Sequence, residues 1–207
     1  VTGNNGGCAS TAIANVAVNA LPTVSVSGVN AVCIGNSTNL TASGASTYTW
    51  NTSATTSVIS VTPAATTSYT VTGTGSNGCV NTAVRTVSVN PLPTINTASS
   101  SSAVCLGSNA SLIASGAATY TWMPGSLTGA SVSATPTINT TYTVTGTDAN
   151  GCVNSSTRSV TVNPLPTVNA VASNTALCSG QSTTLTASGA SSYTWMPGSI
   201  TGNPIAT

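Results

Sequence analysis

The stretch ASLIASGAATYTW, Ala110–Trp122, sets the period on which the rest of the chain can be read. Leu112 and Ala114, then Tyr120 and Trp122, stand two residues apart, with Ser111, Ser115, Thr119 and Thr121 around them. Side chains two apart share one face of an extended strand, so each pair turns an apolar face one way and a hydroxyl face the other. The same alternation continues through Val132 and Ala134, Tyr142 and Val144, and Val160 and Val162. Candidate strands over this part of the chain are LPTINT, ASLIASG, TYTW, ASVSAT, TYTVTGT and RSVTVN, each bounded by Gly, Asn, Ser or Pro. No segment carries a helical period.

The pattern recurs. Cys33, Cys105 and Cys178 are spaced by 72 and 73 residues, as are Trp50, Trp122 and Trp195, and Pro63 aligns with Pro136. Solenoid coils usually repeat every ~20 to 50 residues, so this longer period describes small autonomous beads rather than coils. Length differences fall in Gly/Ser/Asn-rich stretches, as in WNTSATTSVIS against WMPGSLTGASVS, which places them in loops. The expected division is a partial repeat at 1–20 supplying the last two strands, full repeats at 21–90 and 91–163, and a partial repeat at 164–207 supplying the first strands. The two ends read as complementary halves. Two origins are compatible with that: a window on a longer repetitive polypeptide, or a subunit whose terminal strands complete a neighbour's open bead by strand addition. Either gives a filament.

Six or seven short strands per repeat, a Trp on the third and a Tyr on the penultimate one predict an all-β fold of tandem immunoglobulin-like sandwiches. Trp50, Trp122, Trp195, Tyr69 and Tyr142 are the expected core aromatics. The junctions VNPLPT contain Pro91, Pro93, Pro164 and Pro166, which fix φ and predict stiff connections that arrange the beads as a rod.

The succession NPLPT, then C-x-G-x-S/N-x-x-L-x-A-S-G, then YTW, then TTYTVTGTDANGC resembles the Ig-like and PKD-like repeats of Bacteroidetes-type secreted surface adhesins and gliding-motility-associated proteins. The resemblance covers the whole chain. It implies an exported, cell-surface structural or adhesive role. The chain departs from PKD modules in lacking a WDFGDG-like stretch after the Trp, and from many such repeats in having almost no acidic residues.

Charge narrows the function classes. Arg85, Arg158 and Asp148 are the whole charged side-chain inventory, and there is no His. A net charge of +1 cannot neutralise the several phosphates a nucleic acid presents, nor hold an anionic bilayer surface. No apolar run reaches the ~18 residues of a membrane-spanning helix, and the few Trp and Tyr do not make two aromatic girdles of a membrane barrel. General acid–base chemistry needs a carboxylate, His or Lys at the substrate. Asp148 sits in a TDANG turn, where Asp normally caps backbone groups, and its counterpart in the preceding repeat is Gly75. Cysteine catalysis lacks a His or Lys to lower a thiol pKa. No catalytic residue, metal or cofactor is therefore expected. The expected partners are further copies or repeats of the same kind and surface glycans.

The reading is an extracellular fibre or stalk segment, continued head to tail or by strand complementation. The alternative is a carbohydrate-binding accessory module using Trp50, Trp122 and Trp195 as stacking platforms. Ice binding by exposed Thr is a third, weaker idea. Sequons at Asn36, Asn39, Asn51, Asn109, Asn139 and Asn154, on a hydroxyl-rich exterior, allow a glycoprotein.

The six cysteines, Cys8, Cys33, Cys79, Cys105, Cys152 and Cys178, are disulfide candidates in an exported chain. Bonds between chain neighbours, such as Cys8 to Cys33, would link distant ends of stacked beads. Bonds within a bead, Cys33 to Cys79 and Cys105 to Cys152, must bridge opposite ends of the sandwich unless the first loop folds back. A staple between beads, Cys33 to Cys152, avoids that distance and is narrowly preferred, with the intra-bead bond left open.

Overall fold

A computed structural model describes residues 1–206; Thr207, the last residue of the 164–207 segment, lies outside the described residues. All regular structure among the described residues is strand. β1 (Thr2–Asn5) and β2 (Cys8–Thr11) form an antiparallel hairpin. Then follow β3 (Ser25–Ser27), β4 (Ala31–Cys33), β5 (Thr38–Ser43), β6 (Thr47–Trp50), β7 (Val58–Val61), β8 (Thr67–Thr74) and β9 (Val80–Asn90). The second repeat contains β10 (Asn96–Ser99), β11 (Ala103–Cys105), β12 (Ala110–Ser115), β13 (Thr119–Met123), β14 (Leu127–Thr128), β15 (Ser131–Ala134), β16 (Thr140–Thr147) and β17 (Val153–Asn163). The last stretch holds β18 (Asn169–Ala172), β19 (Thr184–Ser188), β20 (Thr194–Trp195), β21 (Ile200–Thr201) and β22 (Ile205–Ala206).

Each full repeat is two facing sheets. The first pairs a β3-β5-β7 sheet with a β4-β9-β8-β6 sheet, and the second pairs β10-β12-β15 with β11-β17-β16-β13-β14. Within the second sheet of each, one short strand runs parallel to the last strand: β4 with β9, and β11 with β17. This is the immunoglobulin-like topology, with a first strand divided between the two sheets. Two compact units are distinguished: Val1–Thr94 with Gly146–Asn154, and Ile95–Thr145 with the residues from Ser155 onward.

The alternation explains the cores. In the first unit Leu40, Ala42, Trp50, Ile59, Val61, Tyr69, Val71 and Val87 pack together; in the second Leu112, Ala114, Tyr120, Trp122, Tyr142, Val144 and Val160 do so with four further residues. No polar or charged side chain is buried among the described residues. The outward face carries cross-strand hydroxyl pairs, Ser25 with Ser43 at 2.8 Å and Ser68 with Thr86 and Thr141 with Ser159 at 2.9 Å. Such pairs support a sheet without charge.

Two features differ from the sequence reading. The LPTINT segment enters its sheet only at Asn96, because Pro91 and Pro93 lack the N–H a ladder needs. Neither the three-residue strands β4 and β11 nor the two-residue β14 is among the expected strands, since AVC and LT are too short to display a period.

Gly44 fixes the entry of the first repeat. Its φ of 90° is left-handed, and an added Cβ would run into the carbonyl oxygen of Thr23; Gly189, with φ 94°, meets Thr167 in the same way. Gly44→Ala is expected to cost at least ~1 to 2 kcal/mol from the backbone conformation alone, plus the steric clash, read as a lower urea midpoint. An unchanged midpoint would show that this entry strand is not fixed as described.

Candidate functional site

The groups of interest cluster at the turns that begin the last strand of each repeat. In the first repeat Gly75 N–H donates to the Cys79 carbonyl at 2.8 Å, and the Asn77 side-chain oxygen accepts from Cys79 N–H at 3.1 Å. In the second repeat Asp148 takes over. Its Oδ1 accepts from both Asn150 N–H and Cys152 N–H at 2.8 Å. The carboxylate is thus spent on holding a turn, as short polar side chains do in such loops.

These turns also grip the Pro-rich segment that leads into each repeat. Asn81 Nδ2 donates to the Pro22 carbonyl at 2.9 Å, and its counterpart Asn154 donates to the Pro93 carbonyl at 2.9 Å. Asn77 Nδ2 adds a bond to the Ala20 carbonyl at 3.0 Å.

Cys33 and Cys152 form a disulfide with a Cα–Cα distance of 5.5 Å across 119 residues of sequence. The geometry explains why Cys33 does not bond Cys79. Cys33 ends β4 and stands opposite Asn90, the last residue of β9, whereas Cys79 precedes the first residue of that strand. Eleven residues of strand separate the two by roughly 36 Å, far beyond a disulfide's reach of about 4.4 to 6.8 Å. The first loop does not fold back. Cys152 is fully buried. Cys8, Cys105 and Cys178 are exposed thiols and Cys79 is half-buried.

The aromatic residues point inward. Trp50 and Trp122 are buried, their indole N–H groups donating to the carbonyls of Thr56 at 2.9 Å and Gly129 at 3.1 Å. Neither presents a face to a ligand. Trp195 makes the equivalent bond to Gly202 at 3.0 Å but is only half-buried, on a cavity of about 260 Å³ shared with Ala187, Tyr193 and Met196. Each repeat also locks a loop through the hydroxyl of the tyrosine two residues before its Trp, a bond the strand alternation does not reveal: the hydroxyls of Tyr48, Tyr120 and Tyr193 donate to the carbonyls of Ala45, Ala117 and Ala190 at 2.9, 2.8 and 2.7 Å. The signal for it was the recurring A-x-x-Y before each Trp. Tyr69 and Tyr142 are buried. Several sequon asparagines are already used by the backbone: Asn51 bonds the Ser68 carbonyl and Asn139 accepts from Val162 N–H.

Burial raises the Tyr142 phenol above its ordinary value of 10.0. A phenol whose folded pKa is raised favours the fold while it is neutral. Its contribution is full below pH 10.0 and is lost as pH rises through the higher folded value. Alkaline titration followed at the tyrosinate absorbance should show one late-titrating phenol whose ionisation coincides with unfolding of the second repeat, and Tyr142→Phe should delay that unfolding.

Among the described residues no three His, Cys, Asp or Glu side chains come together, and no helix is long and apolar enough to cross a membrane. The protein is a tandem array of Ig-like β-sandwich domains. No protein-family model matches the chain, and no curated protein does. Among solved structures it is similar to murine CEACAM1b, at 13% identity over 69% of this chain and all of that one, with a TM-score of 0.34. A 1.5-MDa bacterial ice-binding adhesin matches at 16% identity over 84% of this chain and 77% of the other, with a TM-score of 0.35. A Ca2+-stabilized adhesin of an Antarctic bacterium matches at 13% identity over 83% of this chain and 58% of the other, with a TM-score of 0.43.

Proposed function

We propose that this chain is a non-enzymatic, extracellular segment of an adhesive fibre or stalk, built of Ig-like repeats at 21–90 and 91–163 with partial repeats at 1–20 and 164–207. The observation that carries the reading is the Cys33–Cys152 bond, which ties the first-loop cysteine of one sequence repeat to the last-turn cysteine of the next. Such a bond transmits tension past the peptide junction and requires an oxidising compartment. Support also comes from the nearly uncharged, hydroxyl-rich exterior and from the Pro-gripping asparagines Asn81 and Asn154. The resemblance to Bacteroidetes-type surface adhesins points the same way, with surface glycans or further copies as partners.

Two measurements test this. Antibody labelling of source cells, imaged by electron microscopy, should decorate surface threads. Beads coated with the purified chain should adhere to a cell or glycan surface. Confinement of the label to the cytoplasm, or coated beads that adhere no better than bare ones, would overturn the proposal.

A further inference from the structure

We propose that the second repeat binds one hexopyranose unit of a neutral glycan in the mouth between its two edge strands, with the Tyr142 hydroxyl as the hydrogen-bonding group at the floor. The inference rests on the adhesive reading and names a glycan class and a site for it.

Topology makes the mouth. One sheet of the second repeat ends on β15 and the facing sheet ends on β14, so the sandwich is open along that side. Leu127 of β14, Ser133 of β15, Pro124 from the loop before β14, and Pro136 and Thr137 from the turn after β15 surround a cavity of about 340 Å³, and Tyr142 of β16 lines it from the core side. That volume stands at the small end of the ~300 to 1,000 Å³ of small-molecule sites, which suits a single ring. The first repeat does not build the same walls. Its sheet ends on β6, and Thr52 and Ala64 occupy the repeat positions of Pro124 and Thr137.

Tyr142 supplies the observation that points to a ligand. It is 5% exposed, yet its hydroxyl makes no hydrogen bond to any described residue. A buried phenol hydroxyl is normally paired, as that of Tyr120 is through the Ala117 carbonyl. Burial favours the neutral Tyr142 phenol, which can donate as well as accept. Of the other hydroxyls on the cavity, those of Thr135 and Thr140 are spent on Asn109 Oδ1 and the Ile138 carbonyl, both at 2.7 Å. Those of Ser133 and Thr137, exposed at the rim, have no partner among the described residues. Tyr69, the counterpart in the first repeat, is also unbonded at its hydroxyl, but it lacks the Pro124 wall and the Thr137 rim hydroxyl.

The chemistry of the lining selects the occupant. Pro124, Leu127, Pro136 and the Tyr142 ring offer apolar walls to the C–H face of a pyranose, while the hydroxyls of Tyr142, Ser133 and Thr137 meet sugar hydroxyls that both donate and accept. A purely apolar ligand would bury the Tyr142 hydroxyl unpaired. None of the chain's charged side chains, Arg85, Asp148 and Arg158, lines the cavity, so a sulfated or uronic unit gains no ion pair there. A neutral sugar satisfies both conditions.

The test is retardation of the full oxidised chain on immobilised glucan, mannan and galactan, with the matching methyl hexopyranosides as competitors and polygalacturonate as the acidic comparison. Retardation on at least one neutral polymer, released by its methyl glycoside, supports the proposal. Tyr142→Phe keeps the ring and should weaken that binding about tenfold, the worth of one good hydrogen bond. Thr137→Val, at an exposed turn, should weaken it less and decides the matter if the first variant does not fold, as judged by its urea midpoint. Tyr69→Phe, in the repeat without the walls, should change nothing. No retardation on any of the three neutral polymers overturns the site, as does binding to the acidic polymer alone, an equal loss with Tyr69→Phe, or indifference to both second-repeat variants. Coated beads that adhere to cells while the chain binds none of these sugars would remove this site and keep the adhesive reading. A chain that binds a neutral sugar through Tyr142 but is confined to the cytoplasm would do the reverse.

Discussion

Trp122→Ala is expected to destabilise the second repeat by about 3 to 5 kcal/mol, enough to unfold a bead of this size. Trp122 is 0% exposed, at the centre of a cluster with Leu112, Tyr120, Tyr142, Val144 and Val160. Its removal opens a cavity and orphans the Gly129 carbonyl that its indole N–H satisfies. Trp195→Ala removes the same side chain from the same place in a repeat, and costs much less because that indole is already half-open to water. Urea unfolding followed by circular dichroism separates the two: the Trp122 variant should lose an early transition's worth of β signal, and the Trp195 variant should shift little. If Trp122→Ala kept its midpoint and instead lost retention on a polysaccharide column, the tryptophans would be binding platforms and the carbohydrate-module reading would stand.

The different fates of these two residues mark what a sequence can carry. The β-sandwich was legible because side-chain alternation is local: Leu112 and Ala114, or Tyr142 and Val144, declare a shared face within three residues. The split first strand was not, because β4 and β11 are defined by parallel pairing with residues more than fifty positions away. Cysteine spacing announced a repeating bond, but several connectivities share that spacing. What separates them is the path of one loop, which places Cys33 beside Asn90 rather than near Cys79. The turn role of Asp148 was readable from TDANG alone, since a short carboxylate two residues before an N–H caps it without help from the rest of the fold.

Removing the Cys33–Cys152 bond is the other change with a large expected effect. A cross-link closing 119 residues restrains the unfolded chain strongly: the loop-entropy relation gives about 5 kcal/mol for a loop of this size, and measured losses of native disulfides run ~2 to 5 kcal/mol. The bond encloses β5 to β16, so most of two repeats lies inside the closed loop. Its loss acts mainly on the unfolded state. Reduction of the chain, or the double variant C33S/C152S, should therefore lower the urea midpoint and raise the slope of the transition, because the released chain exposes more surface when it unfolds. The double variant avoids leaving a lone reactive thiol, although it puts a hydroxyl at the fully buried position of Cys152 and so adds a local desolvation cost. Reduction of the wild-type chain, which leaves the side chains otherwise unaltered, isolates the cross-link from that cost. C105S at an exposed, unbonded cysteine provides the control and should leave the midpoint where it is. Equal midpoints for oxidised and reduced wild-type chain would mean that the bond does not restrain the unfolded ensemble, and the staple would lose its mechanical role.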